Sequence, residues 1–176
     1  MNRVKHVGLM AAYNQWMNES MYSAAAQLPA GELVADKQAF FGSILGTLNH
    51  IAVGDTIWLK RFATHPSRFA VLQQLETPEP GALNQLLFPD FESLHRYRMA
   101  LDAAICQWAA TLTEADLDVV LAYKNRQGVA ANKSFYGLLM HFFNHQTHHR
   151  GQVSTLLFQS GVDVGVTDLV SMIPNG

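Results

Sequence analysis

Apolar residues recur at three- and four-residue steps in four long segments of this 176-residue chain. In the first segment, residues 4–28, the repeat is carried by Val7, Met10, Met17, Met21, Ala24 and Leu28. This spacing places apolar side chains along one face of an α-helix. The pattern therefore predicts an all-α protein built on long amphipathic helices.

Helix-capping and helix-breaking residues bound the other three segments. We expect the second helix over residues 37–65, the third over 91–113 and the fourth over 134–160. Asp36 and Asp90 precede the second and third helices, where Asp is a typical N-cap residue. Four helices of similar length are therefore expected.

Two connections depart from this helical pattern. Residues 66–89 hold four prolines and little periodicity, which predicts a long crossover between the second and third helices. Residues 116–133 change to a period of two around a turn at 125–128, which predicts a short β-hairpin before the fourth helix. Four helices with one long connection are typical of a four-helix bundle, and we expect a single domain over residues 1–176.

Composition excludes several classes of partner. The 12 basic and 14 acidic residues give a net charge of −2, which is too little positive charge for a nucleic-acid-binding surface. No apolar run reaches the ~20 residues that cross a bilayer. The single cysteine, Cys106, rules out an intrachain disulfide and a cysteine-based zinc site. We expect a cytoplasmic protein with no nucleic-acid or membrane partner, acting on a small molecule.

Histidines are clustered in the fourth predicted helix, where four of the eight lie within nine residues: His141, His145, His148 and His149. A step of four residues leaves helical side chains about 40° apart, so His145 and His149 can reach one ion. His141 extends this row by one turn and is expected to lie in the core or to support a ligand. His148 points about 100° away from His149 and is expected to lie outside the site.

A third metal ligand must come from another helix, and His50 is the best candidate. It shares a helix face with small residues, Ser43, Gly46, Thr47 and Gly54. Glycine inside a helix lowers helix stability by ~1 kcal/mol relative to alanine, so the presence of two glycines beside His50 requires an explanation. They either leave space for an ion, or for a ligand above it, or allow close helix packing. Three neutral imidazoles suit Zn, Ni, Fe or Co and leave a coordination position open, which makes a Lewis-acid site.

Other polar residues have simpler interpretations. His6, His65 and His95 are expected to be ordinary surface residues. Asp55 lies about 140° round the helix from His50 and is expected to pair across the bundle. Arg150 is interpreted as a structural partner or, alternatively, as an anchor for an anionic substrate group.

Three segments resemble the DinB/YfiT-like family of metal-dependent proteins. Residues 144–152 are similar to its Asn-His-x-x-x-His-Arg-Gly-Gln block, and residues 48–59 to the second-helix segment that supplies a third histidine. Residues 12–18 are similar to its first-helix signature. The resemblance implies that His50, His145 and His149 bind a divalent metal ion.

The resemblance predicts the metal site better than it predicts the reaction. Family members include transferases and isomerases that use low-molecular-weight thiols such as bacillithiol or mycothiol, and members are often dimeric. We therefore expect a homodimer and a metal-dependent transferase that uses a thiol cofactor, or else a hydrolase. Transfer is preferred because the fourth helix lacks Asp and Glu, the usual general bases of a hydrolase. The alternative is a non-catalytic metal-binding or interaction protein with a structural ion, and no catalytic residue is assigned.

Overall fold

A computed structural model describes residues 2–173 and residue 175. That part of the chain is mostly helical, with seven α-helices, one 3₁₀ helix and a two-stranded antiparallel hairpin. The elements in order are α1 Arg3–Ala25, α2 Ala30–Val34, α3 Ile44–Phe62, α4 Ala70–Gln74, α5 Phe91–Ala109, α6 Glu114–Leu117, β1 Val120–Lys124, β2 Ala130–Ser134, α7 Phe135–Gln159 and the 3₁₀ helix Leu169–Met172. The four long helices, α1, α3, α5 and α7, correspond to the four predicted segments.

Capping side chains set the start of two helices near their predicted positions. Asp90 accepts a hydrogen bond from the Ser93 N–H at 2.8 Å and begins α5. Ser134 accepts one from the Gly137 N–H at 3.3 Å and begins α7. These bonds satisfy N–H groups that have no partner inside the helix.

The second predicted helix starts later than expected. It begins at Ile44 rather than after Asp36, and Ser43 is its N-cap. Gln38 has a φ of 53° and Gly42 a φ of 75°, and this left-handed backbone cannot continue an α-helix. Asp36 instead accepts a hydrogen bond from the Gln38 N–H, which forms a local turn.

The core lies among the long helices. Helix α1 packs against α5 and α7, and α3 packs against α7 and α5. At one end of this core, the aromatic rings of Phe62, Trp108, Phe135 and Phe142 contact one another. No helix in the described residues is long and apolar enough to cross a membrane.

Two connections are held against α3, and both border the site described below. The amide of Asn49 donates to the Phe88 carbonyl and accepts from the Phe88 N–H, each at 3.0 Å, which fixes the second half of the connection between α3 and α5. The hairpin is confirmed, with β1 and β2 paired from Val120–Ser134 to Lys124–Ala130. Its turn includes Gly128 at a φ of 80°.

Candidate metal site

Three histidines from two helices converge on one point. His50 comes from α3, and His145 and His149 come from adjacent turns of α7. The Nε2 atom of His50 lies 3.2 Å from Nε2 of His145 and 3.1 Å from Nε2 of His149. One nitrogen from each ring lies within 4.8 Å of the others, and we call these residues the histidine cluster.

Hydrogen bonds at the far side of two rings fix which nitrogen carries the proton. Nδ1 of His50 donates to the backbone carbonyl of Leu83 at 2.8 Å, and Nδ1 of His149 donates to Oε1 of Gln152 at 2.7 Å. A carbonyl oxygen can only accept, so in each neutral ring Nε2 keeps its lone pair. This arrangement is the one that metal-binding histidines use, because the outer hydrogen bond orients the ring.

The cluster cannot satisfy its own lone pairs. His50 and His149 present two acceptor nitrogens to each other, and neither has a proton to share across the 3.1 Å gap. A single ion held tetrahedrally at Zn–N distances of about 2.0–2.1 Å places its nitrogens about 3.3 Å apart, close to the observed separations. The donor set therefore fits a divalent transition metal ion.

Electrostatics keeps the rings neutral. Burial and the neighbouring histidines lower the pKa of His145 to about 3. Burial also lowers the pKa of His50 and His149. Neutral imidazole is the form that binds a metal, so the site is prepared for one near pH 7.

The small residues beside His50 serve two separate purposes. A Cβ atom on Gly54 would lie 2.6 Å from Cε1 of His145, so this glycine makes room for the histidine cluster. A Cβ atom on Gly46 would lie 2.1 Å from the backbone carbonyl oxygen of Phe41, so this glycine allows close packing of the chain before α3. Close packing therefore explains both glycines, Gly54 against α7 and Gly46 against the chain before α3, and space for an ion on this face stays a prediction.

Phe41 forms a wall of the cluster that the sequence did not indicate. Its ring stacks on His50 with centroids 3.8 Å apart and meets the edge of His149 at 5.5 Å. Phe41 falls within the second helix predicted over residues 37–65, yet in the structure it lies in the irregular segment before α3. No repeating pattern marks such a position in a sequence.

A cavity of about 350 Å³ opens beside the cluster. Helix α3 contributes His50, Gly54, Trp58 and Arg61, and α7 contributes His141 and His145. The hairpin turn and the connection after α4 close the cavity through Asn125, Arg126, Gln127 and Leu83. None of the described residues lining it is Asp or Glu. A ligand in this space would reach the cluster from a side free of carboxylates.

The remaining histidines lie outside the cluster. The prediction that His141 could lie in the core is wrong, because this residue is exposed at the cavity wall. Its ring makes a T-shaped contact with Trp58, with centroids 5.0 Å apart, and lies 6.2 Å from the ring of His145. His148 is exposed and lies outside the histidine cluster, as predicted. His6 and His95 are half-buried, and His6 contacts the hydroxyl of Tyr136 at 3.1 Å.

The prediction that His65 lies on the surface is wrong, because this side chain is only 1% exposed. Its Nε2 lies 3.2 Å from the Asp116 carbonyl, its Nδ1 accepts from the Ser67 N–H, and its ring packs on Phe69 and Phe135. These partners are distant in sequence or belong to a turn, so the position just after a helix did not reveal the burial.

A second buried polar group lies in the core, and we call it the polar network. It joins all four long helices through Asn14 and Asn18 of α1, Asp55 of α3, Arg98 and Asp102 of α5, and Gln146 and Arg150 of α7. Arg98 pairs with both Asp55 and Asp102. The prediction that Asp55 pairs across the helices is therefore confirmed, and Arg150 has a structural partner in Asn14.

Two comparisons with known proteins give a match. The model of the DinB family matches residues 1–174. Protein DinB of Bacillus subtilis (strain 168) is 26% identical over 159 residues, which cover 89% of this chain and 87% of that relative. No solved structure gives a significant match. The chain therefore belongs to the DinB family.

Proposed function

We propose that this protein binds a divalent transition metal ion through the Nε2 atoms of His50, His145 and His149. The single observation that carries this proposal is the convergence of three nitrogens that have too few protons to bond one another. Zn, Ni, Fe and Co all accept imidazole ligands, so the donor set alone does not select among them.

We further propose that the site is catalytic and acts on a small molecule in the adjacent cavity. When bound by three protein ligands, such an ion keeps an open position, where it lowers the pKa of a bound thiol or water and polarises a substrate oxygen. His50 and His145 line a cavity of about 350 Å³, which supplies space for a ligand at that position.

Transfer with a low-molecular-weight thiol is favoured over hydrolysis. Hydrolysis generally needs a base to activate water, and Asp or Glu often serves. The described residues around the cavity include neither, and Asp55 is engaged by Arg98 and Gln146. A free thiol has a pKa of about 8.5 and is far more acidic than water, so a bound metal ion would need to shift its pKa much less to hold it as the thiolate near pH 7.

A structural ion is the competing function, and it would need a fourth protein ligand. Gln152 already uses its Oε1 to accept from His149, and His141 does not belong to the set of residues whose ligand atoms converge in the cluster. Both observations support the open, catalytic site.

Elemental analysis of the untagged protein tests the metal proposal. About one transition-metal ion per chain is expected, and none in the double variant His145→Ala/His149→Ala. The single variant His148→Ala changes an exposed histidine of the same helix and is expected to keep the ion. Equal metal content in the parent and the double variant would contradict the proposal.

The wider organisation is also proposed. We propose that α1, α3, α5 and α7 form a four-helix bundle in a single domain, and that the protein is a cytoplasmic homodimer. The packing of α1 on α5 and α7, and of α3 on α7, supports the bundle. Light scattering during size-exclusion chromatography tests the dimer.

A further inference from the structure

We propose that Arg61 is an anion-binding residue of the cavity, and that the small molecule bound there carries an oxyanion such as a carboxylate roughly 10 Å from the atom that meets the metal ion. This inference rests on the proposed function, because it assigns the substrate class of the same site.

The first observation is the position of Arg61 on α3. Gly54, Trp58 and Arg61 follow His50 at steps of four, four and three residues, so all four lie on one helix face and line the cavity. Eleven residues of α-helix rise about 16 Å, and long helical side chains lean back toward the N-terminus. The guanidinium therefore lies over the same cavity as His50, at a distance that a small molecule can span.

The second observation is how the guanidinium is held. Its Cζ atom lies 4.6 Å from the ring centre of Trp58 and 4.9 Å from that of Tyr123. One amino group makes a long hydrogen bond of 3.5 Å to the Lys124 carbonyl. No carboxylate in the described part of the chain pairs with Arg61, so most of its five N–H donors remain to bind a ligand.

The third observation is the charge of the surroundings. Arg126, from the hairpin turn, lines the same cavity and is anchored by bonds to the Pro80 and Gly81 carbonyls. The nearby acidic side chains are engaged elsewhere, since Glu79 pairs with Lys60 and Asp55 with Arg98. An oxyanion between the two arginines would relieve their mutual repulsion, and a guanidinium matches its planar shape.

If Arg61 had only a structural role, its replacement would change ligand affinities in a different way. If it only braced Trp58 against Tyr123, its replacement would loosen the hairpin and weaken neutral and anionic ligands alike. Anion binding requires that only the anionic ligands weaken. The experiment therefore compares an anionic thiol with a neutral thiol of the same carbon-chain length.

Cobalt(II)-loaded protein provides the readout, because a thiolate bound to cobalt gives a charge-transfer absorption band. We would titrate it with mercaptohexanoate and with mercaptohexanol. The two thiols have carbon chains of equal length, and one ends in a carboxylate whereas the other ends in a hydroxyl group. The parent is expected to bind the acid about tenfold more tightly than the alcohol, as one charge-assisted hydrogen-bonded pair provides. Arg61→Gln should abolish this preference and leave the affinity for the alcohol unchanged.

The control is Lys5→Gln, which removes one positive charge from an exposed position of α1 that lies outside the cavity lining and forms no ion pair among the described residues. It is expected to keep the preference for the acid. Should Arg61→Gln fail to fold, Arg61→Lys keeps the charge without the planar fork, and a reduced preference is expected. Added salt should also weaken binding of the acid, but not of the alcohol, to the parent.

The outcomes separate this inference from the function on which it rests. Equal affinities of the parent for acid and alcohol, or a preference that survives Arg61→Gln, would overturn the anion site and leave the metal site standing. Protein that takes up no cobalt would overturn the metal site and the anion site together.

Discussion

The histidine cluster and the polar network are built on the same two helices, yet they satisfy their polar atoms in opposite ways. Asp55 follows His50 on α3, and Gln146 and Arg150 each follow a clustered histidine on α7. In the network, carboxylates accept from guanidinium and amide groups, and two buried cations are matched by two buried anions. In the histidine cluster, three atoms of one kind face each other.

This difference separates a structural polar group from a binding site. In the polar network, charges of opposite sign pair and hold the helices in register, although Oε1 of Gln146 and Nη2 of Arg98 form no hydrogen bond among the described residues. Buried acceptors that converge with too few donors are unfavourable unless a cation joins them. Burial alone did not distinguish the two groups, because His50 and Asp55 are both nearly inaccessible to solvent.

The largest expected effect is the loss of a charge from the polar network. Asp55→Ala leaves the Arg98 guanidinium buried without one of its two carboxylates. Breaking a buried ion pair typically costs about 3–5 kcal/mol in the free energy of unfolding, and denaturant titration of the metal-free protein measures it.

The control for Asp55 is Glu92→Ala, which breaks the exposed pair with Arg96 one turn away on α5. An exposed pair of this kind contributes about 0.3–0.5 kcal/mol. A loss for Asp55→Ala no larger than that of Glu92→Ala would contradict the structural role of the network.

The next largest effect concerns zinc. A ligand present at a thousandfold excess over its Kd stabilises the folded state by about 4 kcal/mol. The parent should show this gain in the free energy of unfolding, whereas His149→Ala should gain little. Without metal, the same variant should be at least as stable as the parent, because it removes one of the facing lone pairs. A large loss in the metal-free variant would place His149 among the structural residues.

The two glycines on α3 sharpen the comparison. Gly54→Ala pushes on the ring of His145 and should weaken metal binding with little change in metal-free stability. Gly46→Ala meets the backbone of Phe41, which cannot rotate away, and should lower the free energy of unfolding by about 1–3 kcal/mol. Parallel metal titrations and thermal unfolding of both variants measure these effects.

Gly151→Ala is the control for the glycine pair. This helical glycine of α7 has open space around its Cβ position, so alanine should stabilise the protein by about 0.5–1 kcal/mol. Equal responses of Gly46→Ala and Gly54→Ala would mean that the two positions share one role.

The last expected effect is a pH dependence that belongs to the histidine cluster. The unfolded chain protonates His145 near its ordinary pKa of 6.5, but the folded chain does so only near 3. Between these values the unfolded state binds more protons, so the stability of the metal-free protein falls as pH is lowered from about 6.5 to about 3.

Replacing the titrating group isolates that effect. His145→Gln should reduce the slope of the free energy of unfolding against pH by up to one proton. Asn144→Ala, an exposed neighbour that does not titrate, should keep the slope of the parent. Identical slopes in His145→Gln and the parent would contradict the lowered pKa.

Most of the helical framework and the positions of the candidate ligands were predictable from the sequence. Helical periodicity is a local property, so the spacing of His145 and His149 already placed them on one face of α7. Arg61 was predictable in principle, because it follows His50 at helical steps on α3, but it was not singled out. The late start of α3 was not predicted because Asp is common both at helix N-caps and in turns. In this structure the Asp36 side chain accepts from the Gln38 N–H and forms a turn.

The parts that escaped prediction depend on irregular chain segments. The Leu83 carbonyl sets the protonated nitrogen of His50, and any residue could supply that carbonyl. Phe41 stacks on His50 from a segment without periodicity. The hairpin was predicted, but the pairing of its strands does not determine which cavity its turn borders.

The sequence by itself determined four amphipathic helices, the hairpin and a histidine pair one helical turn apart, because each of these follows from spacing along the chain. Only the tertiary structure decided that His50 meets that pair through Nε2, that Asp55 is neutralised by Arg98, and that Arg61 faces the same cavity as the histidine cluster. The physical reason is that hydrogen bonds and charge pairs between distant residues depend on how the helices pack. Helix packing cannot be deduced from the spacing of residues along the chain.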